Sequence, residues 1–330
     1  MSKQATIETY ISDNSEEESE IAHASNDNNE EEVDLLGEYE EDTEEIELLH
    51  LRLNNIPSLR LERFPKLQRL CLRQNLIIKI EGLDNLTNIK ELDFYDNRIS
   101  YIENLDKLTE LDSLDLSFNK IRVIENVGSL IKLTDLYFVQ NKISKIQNLD
   151  TLVNLTNLEL GANRIRVIEN LDKLVKLEQL WLGKNKIAEL HNLNSLRNLK
   201  ILSIQSNRLT QLKGLEGLVN LEEIYLSHNG IQKLEGFEKN LKLRVIDISN
   251  NLIRKIEDIS HLTELEEIWA SNNQLTNFEE LSVQMGHLKK LTTVYLEGNP
   301  MQADNHATYR LKIKTLLPQL TQIDATYVQL

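Results

Sequence analysis

Between residues 46 and 299 large aliphatic side chains recur in one order, and residues 155–176, LTNLELGANRIRVIENLDKLVK, show it whole. Leu155, Leu158, Leu160, Ile165, Ile168, Leu171 and Leu174 are the repeating apolar positions, and most residues between them are polar or charged. Around Leu158 and Leu160 apolar and polar residues alternate with period two, which predicts a short strand with one buried face. Asn163 stands where the alternation ends. Its amide both donates and accepts, so it can satisfy turn backbone groups that would otherwise be buried unpaired. The remainder, IRVIENLDKLVK, is too short for a long helix and predicts a tight helical turn or two on the outer side. One such unit cannot bury its own aliphatic face, whereas a stack of them can.

The stack is written in the asparagines of the pattern LxxLxLxxNxI. Asn75, Asn97, Asn119, Asn141, Asn163, Asn185, Asn207, Asn229, Asn251 and Asn273 follow one another at intervals of 22 residues. Asn54 lies 21 residues before the first and Asn299 lies 26 after the last, which gives twelve units with an insertion around Val283 to Gly286. A period in the range of ~20 to 29 residues with this consensus is the leucine-rich-repeat signature. The expected fold is an α/β leucine-rich-repeat solenoid, a horseshoe with parallel strands on the concave face and short helical turns on the convex face. Its open ends need covering. A degenerate unit around Ile46 to Asn54 serves one end, and residues 300–330 read as a C-terminal cap with an amphipathic helix at Tyr309 to Leu317, followed by Pro318, Leu320, Ile323 and Asp324. The predicted organisation is an acidic disordered tail (1–45), the solenoid (46–299) and the cap (300–330).

Charge changes the picture in two ways. Residues 1–45 hold 17 Asp and Glu against the single Lys3, leaving 36 acidic and 36 basic residues in the remaining 285. The chain's formal charge of −16 is therefore the tail's, and a neutral body argues against a general nucleic-acid binder. So acidic a segment, with few large apolar side chains, cannot offset the entropy of ordering. It reads as a solubilising tail, or as a kinase substrate in which Ser12, Ser15 and Ser19 stand among acids. One cysteine, Cys71, excludes an internal disulfide and indicates a reducing compartment. No apolar run reaches the ~18 residues of a membrane span, and the polar, acidic N-terminus is unlike a secretory or mitochondrial signal, so a soluble intracellular protein is expected.

The strand residues flanking the central leucines face outward on the concave side and are free of the core. The central column runs Cys71, Asp93, Asp115, Tyr137, Glu159, Trp181, Ser203, Tyr225, Asp247, Trp269, Tyr295. The column before it adds Glu91, Asp135, Glu223 and Glu267, and the column after it Tyr95 and Glu297. Arg69 and Arg73 are the only basic residues in the three columns; the others fall after the asparagine, as in NKIRVI, NKISKI and NRIRVI. The inner face is thus acidic and carries both tryptophans. Exposed rings among carboxylates suit a protein-binding hot spot, since rings provide area at low entropy cost and charges fix register. The alternative is that the rings merely pack on their strand neighbours. Catalytic chemistry is not in view. There is no GxxxxGK[ST], GxGxxG after a strand, HExxH, CxxC or GxSxG, the seven histidines are scattered, and Asp93 and Asp115 lie on an open, wet surface with nothing to shift their pKa values. No cofactor is expected.

The IENL segment of the repeat, with YDNRI, LGANRI, LGKNKI, LSHNGI, YLEGNP at the last strand and the closing QIDATYV, strongly resembles the Sds22 family, regulatory subunit 7 of protein phosphatase 1, across residues 46 to 330. The resemblance implies binding to the type-1 Ser/Thr phosphatase catalytic subunit through the concave face. Carried over, the contact positions are Asp115, Tyr137, Glu159, Trp181, Asp247, Glu267, Trp269 and Tyr295, each of acidic or aromatic character, with Tyr137 and Trp181 as aromatic exchanges. Asp93, Glu223 and Tyr225, on the same face, are secondary candidates. The family further implies mitotic progression, cell-cycle control, a nuclear and cytoplasmic protein, and control of the phosphatase's assembly or activity; a further regulatory subunit is left open as a third partner. None of the six phenylalanines has Val or Ile two residues before it with a basic residue upstream, so an RVxF-type docking segment is missing and binding falls to the folded surface. The alternative class is a leucine-rich-repeat scaffold for a ribonucleoprotein or other complex; the acidic face argues against direct RNA contact, though not against a protein bridge.

Overall fold

The computed structural model describes residues 34–328. Two units are distinguished, the first ending at Gly37 and the second running from Glu38. Of the first, residues 34–37 form a turn closed by the Gly37 N–H on the Asp34 carbonyl at 3.2 Å. Ser12, Ser15 and Ser19 lie outside the described residues.

In the second unit each repeat contributes one three-residue strand: β1 (Glu45–Glu47), β2 (Arg69–Cys71), β3 (Glu91–Asp93), β4 (Ser113–Asp115), β5 (Asp135–Tyr137), β6 (Asn157–Glu159), β7 (Gln179–Trp181), β8 (Ile201–Ser203), β9 (Glu223–Tyr225), β10 (Val245–Asp247), β11 (Glu267–Trp269) and β12 (Thr293–Tyr295). All twelve pair in parallel, each with its sequence neighbour, so eleven turns of a solenoid separate them. A short pair, β13 (Gln322–Ile323) and β14 (Thr326–Tyr327), closes the sheet, β13 parallel to β12 and β14 antiparallel. The central residue of each strand is buried, Leu158 and Leu180 completely. Strands are short because only this residue and the aliphatic two positions on must reach the core.

The outer side carries the expected tight turns and, in the regular repeats, no longer helix. Within a regular repeat the return segment contains no helix; it runs through single turns such as Leu174 N–H to Leu171 O and Leu177 N–H to Leu174 O, both 3.0 Å. The spacing explains this. Ile165, Ile168, Leu171, Leu174 and Leu177 recur every third residue and all are fully buried, which suits a backbone of three residues per turn and not the 3.6 of an α-helix. A true helix, α1 (Glu279–Met285), forms where the insertion lengthens the return.

The asparagine ladder is as its chemistry requires. Asn163 Nδ2 donates to Phe138 O at 2.8 Å in the preceding repeat and to Leu160 O and Gly161 O at 3.1 Å in its own, while its Oδ1 accepts the Ile143 N–H at 2.9 Å. A second ladder went unread in the sequence: the asparagine of IENL. Asn104, Asn126, Asn148, Asn170 and Asn192 all adopt left-handed φ, and each donates to a carbonyl one repeat earlier, Asn170 to Ile146 at 2.7 Å. Gly82, Gly214 and Gly236 take the same conformation at this position, where a glycine pays no steric penalty.

The ends are finished differently. The boundary drawn at residue 45 falls too late: Tyr39 packs edge-on to Phe64 at 6.4 Å, Asp42 pairs with Lys66 at 3.6 Å, and Glu44 O accepts the Gln68 N–H at 2.8 Å. Acidic composition concealed this because these contacts are made by a few residues among many charges. At the other end, α2 (Pro300–Ala303) and α3 (Tyr309–Leu316) precede the final strands. Asp324 replaces the ladder asparagine there, its Oδ1 accepting the Leu296 N–H at 2.8 Å and the Glu297 N–H at 3.0 Å. Tyr309 OH donates to the same carboxylate at 3.1 Å, which locks the helix onto the last repeat.

Candidate functional site

Parallel, in-register pairing sets Asp93, Asp115, Tyr137, Glu159, Trp181, Ser203, Tyr225, Asp247, Trp269 and Tyr295 side by side in one column. Rungs of a sheet are ~4.8 Å apart, too close for wide rings on every strand to spread without overlapping. Small residues solve this. Ser203 and Asp247, 1% and 7% exposed, separate Trp181, Tyr225 and Trp269, which meet above them. Trp181 and Tyr225 stack with centroids 6.4 Å apart and planes at 17°; Tyr225 and Trp269 lie 6.2 Å apart, and Trp269 meets Tyr295 edge-on at 5.9 Å. The result is one aromatic ridge across six strands. The rings are half-buried, not freely exposed as expected from sequence, and they do pack on one another.

Their polar ends are mostly tied. Trp269 Nε1 donates to Glu267 at 2.9 Å, Tyr225 OH to Glu223 at 2.7 Å, and Gln322 Nε2 from the cap donates to Tyr295 OH at 2.7 Å. Gln322, a positioning residue for Tyr295, was missed in the sequence because no repeat spacing marks it. Tyr137 OH contacts Asp135 at 3.3 Å and accepts from Asn157 at 3.3 Å. Trp181 Nε1 is buried and meets no acceptor among the described residues.

The carboxylates divide along the column. Near the first strands they are neutralised: Arg69 grips Glu91 at 2.8 Å, and Arg73 lies 3.4 Å from Asp93 with its guanidinium 4.2 Å above the Tyr95 ring. A hollow of about 320 Å³ there is lined by Arg69, Arg73, Glu91 and Asp93 with Cys71, whose thiol burial pushes its pKa up and blunts as a nucleophile. From Asp115 onward the pairing stops. Asp115, Asp135, Glu159, Glu223, Asp247 and Glu267 form no ion pair among the described residues. Asp115 and Asp247 instead accept the N–H groups of Ser117 and Ser249, at 2.8 and 3.0 Å, so they also fix the local turn.

The reading of this surface as too open to shift a pKa is corrected by the structure. Burial among strand neighbours raises the carboxyls of Asp93, Asp115 and Glu159, and the Asp115 charge adds to the rise at the other two. Burial, with Asp135 beside it, carries the Tyr137 hydroxyl up to about 12. A raised carboxyl means the folded chain holds a proton that the unfolded chain has already released, so stability falls as pH rises through that window and stays lower above it. Asp115→Asn keeps the Oδ1 acceptor for Ser117 and removes the charge. It is expected to raise the urea midpoint of the free protein at pH 7 and to flatten its loss between mildly acidic and neutral pH. An unchanged midpoint would contradict the burial argument. Among the described residues no three His, Cys, Asp or Glu side chains converge as a metal site requires.

Comparison with known proteins places this geometry among relatives. A family model described as leucine-rich repeat matches residues 111–219, and a second, leucine-rich repeats in two copies, matches 65–107, 87–130 and 219–262. Over 55 residues the chain is 53% identical to protein phosphatase 1 regulatory subunit SDS22 of Schizosaccharomyces pombe, 17% of each chain. It is 52% identical over 54 residues to protein phosphatase 1 regulatory subunit 7 of Xenopus tropicalis, 16% of this chain and 14% of that one. These matches span about a sixth of the length of the curated relatives. Among solved structures, an internalin (InlF) of Listeria monocytogenes shares the fold with a TM-score of 0.69 at 22% identity, covering 87% of this chain and 88% of that one. The functional domain of InlJ from the same organism gives 0.65 at 26% identity over 80% and 54%.

Proposed function

The chain belongs to the leucine-rich-repeat family, and on that footing we propose that it is a non-catalytic regulatory subunit of type-1 Ser/Thr protein phosphatase. It binds the catalytic subunit along its concave face and controls that enzyme's activity, assembly or nuclear targeting, acting in nucleus and cytoplasm during mitotic progression. A further regulatory subunit can join the pair. The observation that carries the reading is the ridge from Trp181 to Tyr295 flanked by carboxylates that lack ion pairs among the described residues. Such a face stores two unmet demands. Half-buried rings gain by losing their remaining water, and the carboxylates of Asp115 and Glu159, held at a desolvation cost, gain from a neighbouring cation. A basic, convex partner surface satisfies both.

The contacts are Asp115, Tyr137, Glu159, Trp181, Asp247, Glu267, Trp269 and Tyr295, with Glu223 and Tyr225 beside them. Asp93 contributes least, since Arg73 already occupies it. Trp181 offers a specific test. Its indole N–H lacks an acceptor in the free chain, so a partner oxygen there would relieve a buried, unsatisfied donor. Calorimetric titration with the purified catalytic subunit is expected to show binding that weakens with added salt, and Trp181→Phe, which keeps a ring but loses the N–H, should cost ~1 kcal/mol. Absence of heat for the unmodified chain would sink the proposed partner; equal affinity of the variant would leave the partner and remove Trp181 Nε1 from the contact.

A further inference from the structure

The turn edge that follows the strands carries a charge pattern the concave face does not explain. Arg98, Lys120, Lys142, Arg164, Lys186 and Arg208 occupy the position after the ladder asparagine in six consecutive repeats. Their backbone is locked in register: each N–H donates at 2.8 Å to an isoleucine carbonyl one repeat earlier, from Ile77 for Arg98 to Ile187 for Arg208. Six like charges therefore stand on adjacent rungs, ~5 Å apart, an arrangement that opposes folding. Elsewhere the solenoid avoids this by pairing cations with acids across rungs, as in Lys200 with Glu178 at 2.7 Å and Arg244 with Glu266 at 2.8 Å. Among the described residues none of the six has an ion pair.

We infer that this row is a docking site for an extended acidic segment of a partner protein, separate from the concave face. Three observations select that occupant. The basic strip has acidic margins: five residues before the row in the repeat lie Asp115 and Glu159 of the concave column, Arg122, Arg166 and Lys145 follow it by two or three residues and widen it, and five residues after it lie Glu103, Glu125 and Glu169. A nucleic acid broad enough to cover the row would set phosphates against acids on both sides, whereas a single extended polypeptide fits between them. The row is also long, about 24 Å over five steps, which matches about seven residues of extended chain. Finally, Tyr101, Val123 and Val167, exposed by 68%, 43% and 40%, lie three residues beyond the row and offer apolar contacts to side chains interspersed with the acids. The six cations would supply register and the apolar residues the area.

The test uses the full chain and a fluorescein-labelled oligo-glutamate of about ten residues, long enough to span the row, with oligouridine of equal charge as the rival polyanion. Anisotropy is expected to show saturable binding of oligo-glutamate, tighter than that of oligouridine. The triple variant Lys142→Glu, Arg164→Glu, Lys186→Glu should lose about tenfold or more in affinity, while Lys173→Glu, Lys239→Glu, Lys289→Glu, the same change in net charge on exposed outer-arc sites, should lose less than about twofold. Replacement of the same three row residues by Gln guards against misfolding and should also lower affinity, by less. The inference is overturned by failure of the unmodified chain to bind oligo-glutamate saturably, by oligouridine binding as tightly or more so, or by equal losses in the two triple variants. Each readout is independent of phosphatase binding.

Discussion

Trp269→Ala is expected to weaken binding of the phosphatase catalytic subunit by ~2 kcal/mol or more, about thirtyfold in Kd. The indole is the centre of the ridge, 6.2 Å from Tyr225 and 5.9 Å from Tyr295, and Glu267 holds its Nε1 at 2.9 Å. Truncation removes contact area, takes support from the two flanking tyrosines, and frees Glu267 to wander. The fold itself should hold. The adjacent Ile268 is the fully buried core residue of that strand, and ring pairs on a half-open face contribute only ~1 kcal/mol each. Titration calorimetry with circular dichroism on the same sample reads both. Undiminished affinity would remove the ridge from the interface; lost affinity with a collapsed spectrum would make Trp269 structural.

The largest effect on stability is expected from the first ladder. Asn163→Ala leaves the N–H of Ile143 without a partner and removes one of two amide donors from each of the carbonyls of Phe138 and Leu160, which keep Asn141 at 3.2 Å and Asn185 at 2.9 Å, in a region with little water, since Asn163 is 7% exposed. A buried donor left unsatisfied costs ~1–3 kcal/mol and the two depleted acceptors add to it, so a loss of ~2 kcal/mol or more is expected in urea unfolding. Because each repeat contacts only its neighbours, the damage falls on one junction and should also broaden the transition. Asn170→Gly is the contrasting case. It deletes one bond, to Ile146 O at 2.7 Å, but relieves a left-handed φ of 58°, and glycine stands at this position in three other repeats. A cost below ~1 kcal/mol is expected. Equal losses at the two sites would mean that the ladders are equivalent, contrary to their geometry.

What the sequence disclosed follows from which forces are periodic. The 22-residue interval fixed the strands, their parallel pairing and the inward positions, because burial of Leu158, Leu160 and their equivalents must repeat for the stack to close. The concave columns were legible for the same reason. Asn163 was legible because an amide at a turn has few other uses. The second ladder carried an equally regular signal in Asn104 to Asn192 and was overlooked in favour of the more familiar first. The three-residue spacing of Ile165 to Leu177 was also visible, and it accounts for the tight turns outside and for the lack of a longer helix in the regular repeats. The rest was not periodic. That rings bridge over Ser203 and Asp247, that Arg73 covers Tyr95, that Gln322 reaches Tyr295 from the cap, and that Asp115 is desolvated enough to raise its carboxyl all depend on side-chain packing between strands. Spacing alone does not specify such packing.

The decisive measurement is hydroxyl-radical footprinting of the full chain with and without the purified type-1 phosphatase catalytic subunit. Trp181, Tyr225, Trp269 and Tyr295 are expected to be protected together on complex formation, while Tyr327, 76% exposed and off the ridge, keeps its reactivity. Formation of the complex with the four ridge residues as reactive as in the free chain would contradict binding through the concave face.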